Sequence, residues 1–318
     1  MKVFLGAVVI LGLPYTVFWP YALGVLTLIV GLAFILRNEL PQAQGIDRVL
    51  PLGRLLYCIP VAGFAGEHFV FARGMTGMVP DYMPFHMFWI IFCGIGLLAA
   101  ALAIATKVCG KLAGLLLAFE LFTFVALLSL PALFDPKHDR FTWALVLRDS
   151  SFASAALVFA GSFYPRRADG STHILVRIGQ TIMGAAAIFF GVEHFLHPDH
   201  VPALPLEKMM PAYVPLPTMW MYLMGAILVI GGLLILANWH AFEGALAIAF
   251  GVLLMMVVVY APILLKDPAD IGVAFNYFMD TLMYGGAAFI LAAALPHTTA
   301  TRSAMNPGKA GKEGLAHA

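Results

Sequence analysis

The sequence predicts an all-α polytopic membrane protein: two parallel-repeat four-helix transmembrane bundles preceded by an N-terminal transmembrane segment. Three observations carry this expectation. The 318 residues are 62% hydrophobic and 11% charged, whereas ordinary soluble domains are about 45–50% apolar and about 25% charged. Apolar runs long enough for a bilayer core, about 20 helical residues each, recur from end to end. A sequence pattern also repeats at a nearly constant spacing. The composition argues against a large soluble core. A net charge of +1 without a basic cluster points to no nucleic-acid partner; the expected partner is the lipid bilayer.

Residues 1–49 read as an N-terminal membrane segment and linker. The opening "MKVFLGAVVILGLPYTVFWP" has one lysine and an apolar stretch, as a signal peptide does, but no small-residue cleavage motif follows. Whether residues 1–20 span the membrane or are cleaved stays open. The run is too long for one straight span and tight for two. Pro14 and Pro20 favour a single span over roughly 16–36 after a kinked or membrane-surface segment.

The repeat is found by offset. "AGEHFVFARG" (65–74) is echoed by "GVEHFLHPDH" (191–200), with Glu67 and Glu193 126 apart (193 − 67). "MVPDYMPFHMFW" (78–89) and "MMPAYVPLPTMW" (209–220) share M-x-P-x-Y-x-P-x-x-x-x-W at an offset of 131 (220 − 89). Gly94 and Gly225, Pro131 and Pro262, and Asp149 and Asp280 keep that register. Two copies of one unit are expected, residues 50–165 and 166–296, with five extra residues in the second around "HPDHVPALPLEK". Each unit reads as four helices, about 54–72, 86–106, 110–131 and 149–165, then about 176–196, 217–238, 241–264 and 279–295. An even number of spans gives both units the same orientation, related by an axis along the membrane normal. Residues 297–318 read as a disordered cytoplasmic tail.

Loop Lys and Arg residues set the orientation. Eleven (Arg37, Arg48, Arg54, Lys107, Lys111, Arg166, Arg167, Arg177, Arg302, Lys309, Lys312) fall on one side and six (Arg73, Lys137, Arg140, Arg148, Lys208, Lys266) on the other. The first side is expected to be cytoplasmic. Both Glu-His pairs, both Pro-rich loops, Asp149 and Asp280 then gather at the outer face.

Candidate site residues follow from polar chemistry in apolar surroundings. Glu67, His68, Glu193 and His194 end their helices. They either finish the helix and bond the next loop, or line a polar pocket. In the pocket reading histidine faces inward and glutamate bonds loop N–H groups or the hydroxyls of Tyr82 and Tyr213. The Pro80–Pro84 and Pro211–Pro217 loops, stiffened by proline, would cover the pockets or merely connect spans. Trp89 and Trp220 suit the interface. Glu120, mid-span with Gly251 as its counterpart, is either a neutral bonded acid or a proton or substrate group. His194, His197, Asp199 and His200 could ligate a divalent ion, but Pro198 ends the helix there and copy one has Phe71 in place of His197, so no metal is expected. Cys58, Cys93 and Cys109 form no C-x-x-C pair.

The stretch "FFGVEHFLHPDHVP…MMPAYVPLPTMWMYLMGAILVIGG" (189–232) resembles the DoxX-like integral membrane family, in which Gly-x-x-His-Phe ends the first helix ahead of a Pro-rich loop and a Gly-rich second helix. Gly191, His194, Phe195, Pro211, Pro215 and Gly225 carry the match, and "MDTLMYGGAAFILAA" (279–293) is similar to the family's last helix. Copy one has Ala65 at the first glycine position, while Glu67, His68, Phe69, Pro80 and Pro84 agree. Members usually hold one unit, so this chain looks like a tandem duplication. The resemblance implies a bacterial inner membrane location and a redox-associated subunit. Such a subunit would bind a quinone or lipid-like molecule at the outer face and meet a membrane or periplasmic redox partner. A transporter, whose site would lie between the units, or a non-enzymatic scaffold is the alternative.

Overall fold

The computed structural model describes residues 9–10, 13–165, 171–200 and 209–296. The expectations for the first eight residues, for the tail from 297, and for Arg166, Arg167 and Lys208 lie outside the described residues. Among those described, nine helices are long and apolar enough to cross a membrane. The protein is an all-α polytopic membrane protein.

A two-residue antiparallel ribbon, Val9–Ile10 with Leu13–Pro14, leads into α1 (Tyr15–Asn38), which carries Pro20 inside it. The other spans are α2 (Leu50–Val70), α3 (His86–Thr106), α4 (Gly110–Phe124), α5 (Arg140–Gly161), α6 (Ile174–Leu196), α7 (Pro217–Leu236), α8 (Ala241–Met255) and α9 (Asn276–Ala294). Wider π turns extend α4 (Val125–Ser129) and α8 (Met256–Tyr260) and precede α9 (Ile271–Phe275). Pro131 and Pro262 explain the first two. Proline has no N–H, and its ring crowds the carbonyl four residues back, which widens the turn before it.

Backbone landmarks recur at the offset found in the sequence. Among the described residues, all six non-glycine residues with positive φ form three pairs 131 apart: Phe85 and Leu216, Lys107 and Asn238, Cys109 and His240. The π turns at Val125–Ser129 and Met256–Tyr260 keep the same spacing. Trp89 Nε1 donates to the Pro84 carbonyl at 2.9 Å, and Trp220 Nε1 to the Pro215 carbonyl at 3.0 Å.

The fourth helices differ from expectation. They begin near Arg140 and Ile271, not near 149 and 279. Asp139 caps the first by accepting from Thr142 N at 3.2 Å, and Asp270 caps the second by accepting from Val273 N at 3.0 Å. These aspartates are also 131 apart. Asp149 and Asp280 therefore lie not at the outer face but about 14 Å along their helices, at about 1.5 Å per residue. Arg148 leaves the outer-loop count for the same reason, and the side that held six Lys and Arg keeps five.

The helices α2 to α9 form a closed ring, each packing on the next, with α9 packing back on α2. The ring is pinched where α5 meets α9. Two lobes result: lobe 1 is α2, α3, α4, α5 and α9, and lobe 2 is α5, α6, α7, α8 and α9. The quartets α2–α5 and α6–α9 are thus interlocked, because the last helix of each packs on the first helix of the other. The helix α1 lies outside the ring on α2 and α3. Its Tyr21 hydroxyl donates to the Pro268 carbonyl at 2.8 Å. At its other end Glu39 pairs with Arg54 at 2.6 Å and Lys107 at 3.0 Å. Close approach needs glycine at equivalent places: a Cβ on Gly94 would lie 2.8 Å from His68 Cβ, and one on Gly225 3.2 Å from His194 Cβ.

Candidate functional site

Lobe 1 encloses a cavity of about 670 Å³, within the range of roughly 300–1,000 Å³ usual for small-molecule sites. Helix direction sorts its lining into three levels. At the rim, on the face that carries the Pro-rich loops, are Met78, Ala132, Phe141, Thr142 and Gly272. Deepest are apolar side chains, among them Val61, Phe64, Leu97, Leu121, Phe152 and Met283. Between them runs a polar belt: Glu67, His68, Ser129, Arg148, Asp149, Asn276, Tyr277 and Asp280.

Arg148 holds the belt together. Its Nε donates to Asp149 Oδ1 at 2.9 Å and one terminal amino group to Asp280 Oδ2 at 2.7 Å. Ser129 donates to Asp149 Oδ2 at 2.8 Å. The two aspartates, 131 residues apart, thus share one guanidinium where α5 crosses α9. A buried charge needs such partners, since removing it from water costs several kcal/mol (order of magnitude).

Glu67 is 7% exposed, and its Oε1 has no hydrogen-bond partner. The Asn276 side chain is within hydrogen-bond reach of its carboxyl, and Asp280 is near enough for charge repulsion. His68 Nδ1 lies 2.8 Å from the Phe64 carbonyl. A carbonyl only accepts, so Nδ1 carries the proton and Nε2 keeps a lone pair. The His68 ring stacks at 6.3 Å on Phe124, itself a lining residue.

Of the residues singled out in the sequence, Glu67, His68, Asp149 and Asp280 meet in this cavity. The others do not. His194 is 1% exposed with Nδ1 on the Phe190 carbonyl, the same device as His68, and its Nε2 is buried without a partner. Glu193 pairs with Arg140 at 3.1 Å and faces His197 at 3.7 Å. Tyr82 is 75% exposed, and the Tyr213 hydroxyl donates to the Val259 carbonyl at 2.7 Å, so neither bonds its glutamate. The Pro80–Pro84 loop contributes nothing to the lining, and the cover expected from it is absent there. The loop packs instead on α3 through Val79 and Ile90.

Glu120 faces α3 rather than the cavity. Its carboxyl is within hydrogen-bond reach of the Cys93 thiol, and a Cβ on Gly96 would meet its Oε2 at 2.8 Å. In the other quartet Gly251 faces Ile227 and Met224, so bulk has moved from one helix to its neighbour. The helix-end histidines diverge. His194 points to its own helix, His197 to Glu193, and His200 to Asp199 at 3.0 Å, whose carboxyl that hydrogen bond holds below the usual carboxylate range. Among the described residues no three His, Cys, Asp or Glu side chains are placed to hold a metal ion. The three cysteines are free thiols.

Ser129, Asn276 and Tyr277 were not among the sequence candidates, and Arg148 stood there only as an outer-loop cation. The signal for Arg148 was available: "LRDSS" interrupts an apolar run, and Asp139 and Asp270 mark the true helix starts 131 apart. No family model matches the chain, and neither a curated protein nor a solved structure matches it.

Proposed function

We propose that this protein is a DoxX-like, redox-associated membrane subunit, a tandem duplication of a four-helix unit, that binds a small amphipathic molecule, quinone- or lipid-like, in the lobe 1 cavity. One observation carries the reading: a cavity of about 670 Å³ with an apolar floor and a belt of Glu67, His68, Arg148, Asp149 and Asp280 inside a membrane-spanning fold. Ionisable groups in such a place are costly and default to function. The DoxX-like assignment and the redox link rest on the sequence resemblance. The duplication is supported by the paired positive-φ residues, π turns and Asp caps at one offset. Arg37, Arg48, Lys107, Lys111 and Arg177, at the helix ends opposite the Pro-rich loops, argue that the rim opens to the outside, with a periplasmic partner in reach.

The test is extraction of the purified protein with organic solvent and mass spectrometry of what is released. A near-stoichiometric amphiphile is expected. It should be lost in Ser129→Tyr, which installs in lobe 1 the residue that lobe 2 has at position 260. A folded Ser129→Tyr protein with unchanged extract would refute the reading. A transporter is the second reading. It is favoured by the cavity's construction from both quartets, since α9 supplies Asn276, Tyr277 and Asp280.

A further inference from the structure

We propose that the lobe 1 cavity selects amphiphiles with a cationic, hydrogen-bond-donating head, a primary ammonium above all, and seats the alkyl part on the apolar floor. This rests on the ligand-binding reading above and adds the chemistry of the head.

The inference comes from counting donors, acceptors and charges in the belt. Its assigned side-chain donors point at its own carboxyl groups. Arg148 donates to Asp149 and Asp280, and Ser129 to Asp149. Its acceptors are in surplus. Glu67 Oε1 and Asn276 Oδ1 have no partner, and His68 keeps its Nε2 lone pair because Nδ1–H donates to the Phe64 carbonyl. Three carboxyl groups (Glu67, Asp149, Asp280) face one guanidinium. An ammonium offers three N–H donors and a positive charge. A quinone brings only carbonyl acceptors and has no N–H or O–H to offer Glu67 Oε1, Asn276 Oδ1 or His68 Nε2. A carboxylate or phosphate head would set a further anion among carboxyl groups. The depth order agrees. The floor lies beyond the belt as seen from the rim, so an alkyl chain enters first and its head stops level with Glu67.

The test uses the full chain in nanodiscs of phosphatidylcholine and phosphatidylglycerol, which contain no primary amine. Tritiated decylammonium is the probe, empty nanodiscs are the blank, and decanol, decanoate and a decyl-substituted benzoquinone are competitors. Saturable binding of decylammonium is expected. Decanol should compete at least tenfold more weakly, and decanoate and the benzoquinone should not compete. Glu67→Gln, which removes a carboxylate outside the Arg148 pairs, should weaken decylammonium at least tenfold and leave decanol unchanged. Adding phosphatidylethanolamine to the nanodiscs separates two sources of the head: displacement of the probe points to a lipid ammonium, no displacement to a free amine. Competition by decanoate or the benzoquinone as strong as that by unlabelled decylammonium, with Glu67→Gln unchanged, would overturn the cation proposal but leave the ligand-binding reading intact. Failure of every probe to bind saturably would overturn both.

Discussion

The two Glu-His helix ends have nearly the same local sequence and the same histidine device, yet one opens on a cavity and the other is packed shut. At His68 the following π turn ends in Ser129, and the Pro-rich loop leans away onto α3. At His194 the matching π turn ends in Tyr260, which is 0% exposed, and Val214, Met210 and Trp220 of the loop region pack onto it and Val259. The Tyr213 hydroxyl on the Val259 carbonyl ties that loop down, and burial pushes its phenol up. The glutamates follow their lobes. Glu193 meets Arg140 near the surface, whereas Glu67 has no cation of its own. Stretches with matching backbone landmarks can therefore differ in openness, with a few side-chain volumes making the choice.

Writing one half's residue into the other tests this contrast. The largest effect is expected from Arg148→Met, which copies Met279. It strands Asp149 and Asp280 without a cation, at a cost of about 3–5 kcal/mol. Thermal denaturation in nanodiscs should show it, and adding Asp280→Asn should recover part of the loss. A midpoint within a degree of wild type would mean that the central pair is not structural.

Tyr260→Ser should come next, at about 2–4 kcal/mol, because it empties a fully buried aromatic site while relieving an unpaired hydroxyl. It should also create a second ligand site, doubling the stoichiometry of whatever lobe 1 binds. Gly286→Ala copies Ala155 into the α2–α9 crossing. There a Cβ would lie 2.4 Å from the Tyr57 backbone N, which cannot step aside as a side chain could. A loss of about 1–3 kcal/mol is expected, and a neutral result would imply that α2 and α9 are not in this contact.

The smallest effects separate the two glutamates by sign. Glu193→Gln should cost about 1 kcal/mol or less, since its partner Arg140 is about one-third exposed and solvent weakens the pair. Glu67→Gln should leave stability unchanged or raise it, because it removes a buried carboxylate that has no cation. Parallel melting curves of the two variants check the contrast. Equal losses at both positions would place them in equivalent surroundings and dissolve the comparison.

Much was legible in the chain. Composition determined the solvent: in lipid every backbone polar group must be satisfied within the segment, so long apolar runs become helices. The offset of 131 carried the matching loops, caps and π turns, which are local features written by nearby Pro, Asp and Trp residues. Helix starts were misread where Arg148 and Asp149 looked like a loop. A charge signals a boundary only while its partner is out of view, and Asp280 is 132 residues away. The tertiary structure alone decided that partnership, the exchange of last helices between quartets, and the cavity of lobe 1. Helices in lipid gain no hydrophobic energy by choosing one neighbour over another, so small-residue fit and paired charges make the choice. Those depend on which surfaces meet in space, and periodicity along one strand of sequence does not encode them.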